Sequence, residues 1–245
     1  MPLPAMLKPL FDFALPPRCP LCGVTVETDN RFCLPCWQHF DFLSEPWCAA
    51  CGLPLAFDGP ADRLCVTCLV DSPAHDGVRA VVRYNDHAAL IAMRLKYGTR
   101  LGLAKLIAQH LRKFVGEYSD GVIIVPVPLH RSRLWQRGFN QSVLIGRELS
   151  RITGIKLNHD AIWRRKATPP LRGMTGKERR RIVGTAFALH AEARSKIDGK
   201  TVLLIDDVYT SGSTSSACAR LLKKAGAKQV FVFCWARVIS EVENG

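Results

Sequence analysis

Between Cys19 and Cys68 the chain carries four Cys-x-x-Cys pairs: CPLC (Cys19, Cys22), CLPC (Cys33, Cys36), CAAC (Cys48, Cys51) and CVTC (Cys65, Cys68). A two-residue spacer folds into a tight knuckle that turns both thiolates toward one point, and a tetrahedral zinc takes four thiolates. Two pairs per ion give two Cys₄ sites. Gly23 and Gly52 follow the first and third pairs, where a positive φ frees backbone N–H groups toward sulfur. This alternation predicts that pairs one and two share one ion and pairs three and four the other. A crossed arrangement, one with three and two with four, stays open. Turn formers fill the intervals: Asp29-Asn30, Leu53-Pro54, Asp58-Gly59-Pro60. Four thiolates leave no open coordination position, so both zinc sites read as structural, holding a segment too small to fold on apolar burial alone. Disulfides and a redox pair are the competing readings, and a reducing compartment disfavours the disulfides. Cys218 and Cys234 fall in a helix pattern and a strand pattern and read as core.

Charge divides the chain at the same place. Residues 1–75 hold four basic and eight acidic side chains, a net −4, against a whole-chain net of +13, so residues 76–245 carry +17. Two compositions predict two domains, 1–75 and 76–245, meeting near Ser72–Gly77. The longest uncharged aliphatic run, GVIIVPVPL, holds two prolines and is too short to cross a bilayer. The apolar start, MPLPAMLKPLFDFALPP, contains an aspartate and lacks a small-residue cleavage site. It reads as a short helix packed on the next domain, and the expected location is cytoplasmic.

Beyond residue 76, aliphatic strands alternate with amphipathic helices. Strands are expected at 78–84, 121–128, 201–205 and 229–238, with two shorter ones at 161–166 and 184–190 flanking a loop. Helices are expected at 87–97, 103–115, 139–154 and 211–227. Strands that are apolar throughout mark a parallel sheet covered by helices on both faces, an α/β fold.

The strand at 201–205 runs into VLLIDDVYTSGST, Val202–Thr214. In open α/β sheets ligands bind beyond the carboxyl ends of strands. Asp206 and Asp207 are expected there, followed by Thr210, Ser211, Gly212, Ser213 and Thr214 at a helix start. Unpaired N–H groups and the positive helix end make an anion cradle. Two carboxylates beside a phosphate call for a polyol between them, and a ribose 5-phosphate has that shape. An ordinary helix cap would not need the doubled aspartate. A second segment, VPVPLHRSRLWQRGFNQS (125–142), sets Arg131, Arg133 and Arg137 after another strand end. Their guanidinium forks suit pyrophosphate. His130 lies in the same segment and reads as a structural hydrogen-bond partner.

The Val202–Thr214 segment resembles the phosphoribosyl pyrophosphate (PRPP) loop of type I phosphoribosyltransferases. The whole chain resembles the ComF family in order: four cysteine pairs, LKYGTRLGL, VPVPLHRSRLWQRGFNQS, ATPPLRGMTGKERRRIVGTAF and the phosphoribosyl loop. The resemblance implies a double zinc ribbon fused to a phosphoribosyltransferase-like domain. It implies PRPP with Mg²⁺ as ligand and a role in handling incoming single-stranded DNA, with a competence helicase or DNA-processing protein as candidate partner. Asp206, Asp207 and Thr210–Thr214 would hold ribose and 5′-phosphate, and Asp206 and Asp207 would stabilise cationic character at C1. Lys96 would join Arg131, Arg133 and Arg137 near pyrophosphate. Two departures, no Gln near Leu171 and no Asn near Ile182, put acceptor recognition in question. A fused amidotransferase would need an N-terminal cysteine nucleophile; the chain begins MPLPAM.

The competing class is a non-catalytic single-stranded DNA binder that keeps the fold as a ligand sensor. Residues 131–181 hold 14 Lys or Arg against three acids, densest at Arg164-Arg165-Lys166 and Arg179-Arg180-Arg181. Such a stretch suits a phosphate backbone, and the interleaved Trp135, Phe139 and Trp163 suit base stacking.

Overall fold

The structure, a computed structural model, describes residues 16–57, 59–98, 102–116, 118, 121–167, 182 and 184–239. The expected N-terminal helix and the basic loop with Arg179, Arg180 and Arg181 lie outside the described residues. In chain order the elements are α1 (Leu34–Trp37), α2 (Val66–Val70), β1 (Gly77–Arg83), α3 (Asp86–Tyr97), α4 (Gly102–Val115), β2 (Val122–Pro126), α5 (Arg131–Arg137), α6 (Gln141–Thr153), β3 (Ile162–Arg164), β4 (Phe187–Leu189), α7 (Ala193–Ile197), β5 (Thr201–Tyr209), α8 (Ser213–Lys224) and β6 (Gln229–Arg237).

Four aliphatic strands form one parallel sheet in the order β1-β6-β5-β2, and β3 pairs antiparallel with β4 apart from it. Along β5, successive side chains enter opposite layers. Leu203 and Ile205 join a core with α3, α4 and α6, whereas Val202 and Leu204 join one with α7, α8, β3 and β4. Both layers exclude water, which is why the strand carries no polar residue between Thr201 and Asp206. β5 is longer than the sequence pattern suggests. Backbone pairing with β6 continues through Asp206↔Cys234 to Tyr209↔Arg237, so the two acids belong to the strand itself. The arginine-rich turn after β2 is also a helix, α5, capped by the His130 side chain, which accepts from Ser132 N–H at 3.3 Å.

The ribbons pack as part of this core. Cys19, Leu21, Phe32, Cys36 and Phe40 share one buried layer with the α3 and α4 side chains. Trp235 of β6 meets the Phe40 ring at 5.6 Å between centroids. Arg94 of α3 donates to the carbonyls of Pro20 and of Leu21, the latter at 2.9 Å. The segment between the ribbons lies against the free edge of β1, with Leu43 N–H on Val81 O at 3.0 Å and Arg83 N–H on Asp41 O at 2.8 Å. Gly52 of the second ribbon sits hard against β1: a Cβ there would lie 2.6 Å from Val78 O. On the opposite edge, Ile124 of β2 exchanges hydrogen bonds with Lys156 and Asn158.

His75, just ahead of β1, is buried and its Nε2 lies 3.2 Å from Tyr209 Oη. Burial pulls its pKa down to about 4, against about 6.5 in an unfolded chain. The unfolded state therefore binds the extra proton first, so stability is lost as pH falls from about 6.5 toward 4. Denaturant melts across that window are expected to show a shallower loss in His75→Asn than in the wild type. Identical pH slopes would refute the assignment.

Candidate ligand site and metal centres

The eight cysteines of the ribbons form two tetrads, Cys19-Cys22-Cys33-Cys36 and Cys48-Cys51-Cys65-Cys68, each with all four sulfurs within 4.8 Å of one another. Pairs one and two therefore share a centre, and so do pairs three and four. The crossed arrangement is excluded. Zn–S bonds of about 2.3 Å imply tetrahedron edges of about 3.8 Å. Cys22 and Cys33 Sγ are 3.6 Å apart, and Cys51 and Cys65 Sγ 3.7 Å. The two centres repeat one design. Gly23 and Gly52 N–H close the knuckles onto Cys19 and Cys48 carbonyls, each at 2.9 Å. Cys33 N–H points at Cys19 Sγ (3.4 Å) and Cys65 N–H at Cys48 Sγ (3.3 Å). The donor set suits a closed, structural zinc.

At the carboxyl ends of β5 and β2 lie two adjoining cavities. The first, about 370 Å³, is lined by Asp206, Tyr209 and Thr210–Ser215. The second, about 540 Å³, shares Asp206, Thr210 and Thr214 with it and adds Asp207, Lys96, Arg133 and Arg137. Gly212, the residue just before α8, has φ 68°, and no side chain caps the helix. Its first N–H groups thus have no intrahelical acceptor, and the hydroxyls of Thr210, Ser211, Ser213 and Thr214 surround them. Gly212 is required twice over, by its positive φ and because a Cβ would lie 2.9 Å from Tyr209 Cζ.

The two acids differ. Asp207 is buried and bound to Lys96 Nζ at 2.5 Å. Asp206 keeps partial access through the cavities and accepts from Asp207 N–H at 2.9 Å. Desolvation, with the neighbouring Asp207 charge second, raises the Asp206 pKa well above the usual carboxylate range. Lys96 acts on both acids, and the Arg164 guanidinium acts on Asp206 from the same cavity.

Of the expected pyrophosphate residues, Lys96, Arg133 and Arg137 line one cavity. Arg137 is oriented by Tyr97, its Nη2 donating to Tyr97 Oη at 3.2 Å. Arg131 turns instead to a separate cavity of about 620 Å³ beside Trp163, Arg147 and His190. Arg164 borders both cavities, and burial lowers its pKa. Arg165 and Lys166 are exposed. Trp135 is 90% exposed on α5, and Trp163 42%. Gln141, Tyr84 and Val238 also line the ligand cavity. They escaped the sequence reading because only topology brings them there, although Gln141 directly follows the helix-capping Asn140.

Comparison with known proteins adds the family. Residues 10–69 match the double zinc ribbon domain and residues 142–244 the phosphoribosyl transferase domain. Competence protein F of Haemophilus influenzae is 31% identical over 179 residues, 71% of this chain and 78% of that protein. DNA utilization protein YhgH of Escherichia coli O157:H7 is 32% identical over 229 residues, 90% of each chain. The chain belongs to the ComF family. Competence protein ComFC of Streptococcus pneumoniae, another relative, is 28% identical over 90% of this chain and all of its own. Among solved structures, a purine phosphoribosyltransferase from Pyrococcus horikoshii aligns at 21% identity and TM-score 0.34, over 54% of this chain and 70% of its own. That alignment carries no functional information. This ComF-family chain has no helix among its described residues long and apolar enough to cross a membrane.

Metal analysis of protein purified under reducing, chelator-free conditions is expected to give two zinc ions per chain, one per tetrad; finding none would overturn the reading of both tetrads. The raised Asp206 pKa predicts a trade-off. The folded chain holds that proton more tightly than the unfolded one, so ionising Asp206 costs stability as pH rises past about 3.9. Asp206→Asn is therefore expected to melt higher than wild type at neutral pH. A lower melting temperature would refute it.

Proposed function

We propose that this protein binds phosphoribosyl pyrophosphate with Mg²⁺ and acts in the cytoplasmic handling of incoming DNA. One observation carries the ligand assignment. An uncapped helix start ringed by hydroxyls, a pair of acids and the cations Lys96, Arg133 and Arg137 meet around two adjoining cavities. The order matches phosphate, ribose hydroxyls and pyrophosphate along one molecule. Backbone N–H groups of Ser213–Ser215 would take the 5′-phosphate. Asp206 would accept from the ribose hydroxyls, and Asp207 would keep Lys96 directed at the pyrophosphate. Lys96, Arg133 and Arg137 would hold the pyrophosphate end, and Mg²⁺ bound with it would supply further positive charge.

If transfer occurs, the C1–oxygen bond to pyrophosphate breaks as an acceptor's lone pair forms the new bond to C1. Oxocarbenium character develops between these events. Asp206 would oppose that positive charge, and Arg133 and Arg137 would hold the leaving group. His130, the one histidine of this segment, is committed to capping α5, so the chain offers it no role as a base.

Calorimetric titration with PRPP plus Mg²⁺ tests the ligand. Removing one charge-assisted contact costs about 1.5–3 kcal/mol, or roughly ten- to a hundredfold in affinity. Arg133→Ala and Arg137→Ala are expected to lose that much for PRPP while ribose 5-phosphate affinity changes little. Gly212→Ala is expected to weaken both ligands. Absence of PRPP binding to zinc-replete wild type would refute the reading.

A second reading, non-catalytic binding of single-stranded DNA, is favoured by the separate cavity where Trp163 and His190 stand beside Arg131 and Arg147. The names competence protein and DNA utilization protein belong to relatives and agree with it. Fluorescence anisotropy with a labelled oligonucleotide across a salt series reads it. Trp163→Ala is expected to weaken binding at an unchanged salt slope, whereas Arg165→Ala should reduce that slope by about 0.7. No binding at low salt would remove this reading.

A further inference from the structure

Arg237 ends β6, and its side chain is 1% exposed. A guanidinium is buried at great cost unless its donors are used and its charge is met. Here Nε donates to Cys51 O at 2.8 Å, Nη2 to Cys51 Sγ at 3.2 Å and Nη1 to Val238 O at 3.2 Å. Zinc with four thiolates is a dianion, so the second centre offers Arg237 the counter-charge that its burial demands. The same residue is tied to the ligand loop. Arg237 pairs with Tyr209 in the sheet, and Val238 N–H donates to Tyr209 O at 2.8 Å. The guanidinium carbon lies 5.9 Å from the centre of the Tyr209 ring. That ring is what Gly212 rests on. A cavity of about 260 Å³ separates the ribbon from the loop, bordered by Cys51, Cys68, Arg237 and Tyr209–Ser213. The loop is therefore a thin wall with the ligand cavity on one side and the second zinc ribbon on the other.

We propose that Arg237 is a positioning residue through which the second zinc centre holds the phosphate loop in its binding shape. Loss of that zinc releases the guanidinium, the Tyr209 ring and then Gly212, and binding of the phosphorylated sugar weakens without any change in the residues that touch it. The proposal rests on the ligand reading above only for its last step.

Amide hydrogen exchange on the full chain without ligand tests it, with Val208–Ser213 as reporter and Val122–Pro126 as internal reference. Arg237→Lys keeps the charge and loses the fork. It is expected to speed exchange across Val208–Ser213 about tenfold, equivalent to about 1.4 kcal/mol of easier local opening, and to leave the reference unchanged. One of the two zinc ions should pass to a chelator faster, and PRPP affinity should fall in parallel. Cys68→Ser attacks the same centre from another ligand and must reproduce the exchange pattern. Zinc loss with an unchanged loop in either variant overturns the proposal. So does acceleration that includes Val122–Pro126, which would make Arg237 a general core residue. Exchange is read without sugar, so a wild type that ignores PRPP refutes the ligand reading and leaves this one to be decided by the loop.

Discussion

The pairing of β5 with β6 runs past the point where the strand stops being apolar. Asp206 sits opposite Cys234, and Tyr209 opposite Arg237. Everything at the ligand end follows from that extension. A strand that ended at Ile205 would leave the acids on a flexible loop, hydrated and of ordinary acidity. Held in the sheet, Asp206 is desolvated and Asp207 is pressed onto Lys96. The site thus stores electrostatic strain that a ligand with hydroxyls and anionic oxygens can relieve.

Much of this was legible in the chain. The four cysteine pairs predicted two tetrads, and the glycines after the first and third pairs favoured the pairing observed, with the crossed arrangement left open until the sulfurs were placed. Apolar runs located all four sheet strands and the major helices. The misses have physical causes. Asp and Asp-Val-Tyr after an aliphatic run look like a strand's end, yet β6 supplies backbone partners that outweigh low local propensity. Arg131, Arg133 and Arg137 fall in one short basic stretch of the sequence. In a helix, residues four apart share a face and residues two apart do not. Arg133 and Arg137 accordingly enter the ligand cavity together, while Arg131 points to another. Lys96 is far away in sequence and was reachable only through resemblance to a family. Gln141, Tyr84 and Val238 had no local mark at all.

The composition boundary near residue 75 is real as chemistry but does not separate the packing. One ribbon completes the layer around Trp235, and the other abuts the ends of β1 and β6. An acidic segment is set against a basic one, and a metal at each tetrad would supply rigidity where apolar burial is too small to do so. The fold therefore spends its cysteines on shaping a neighbour as much as on holding themselves.

The strip around Asp41–Leu43 closes the outer flank of β1 by hydrogen bonding to Val81 and Arg83. It is short, and both of its ends lead into metal-held ribbons. A metal-starved chain would lose that cover and present an open row of amides and carbonyls to its neighbours. The ribbons thus guard a sheet edge as well as a ligand loop.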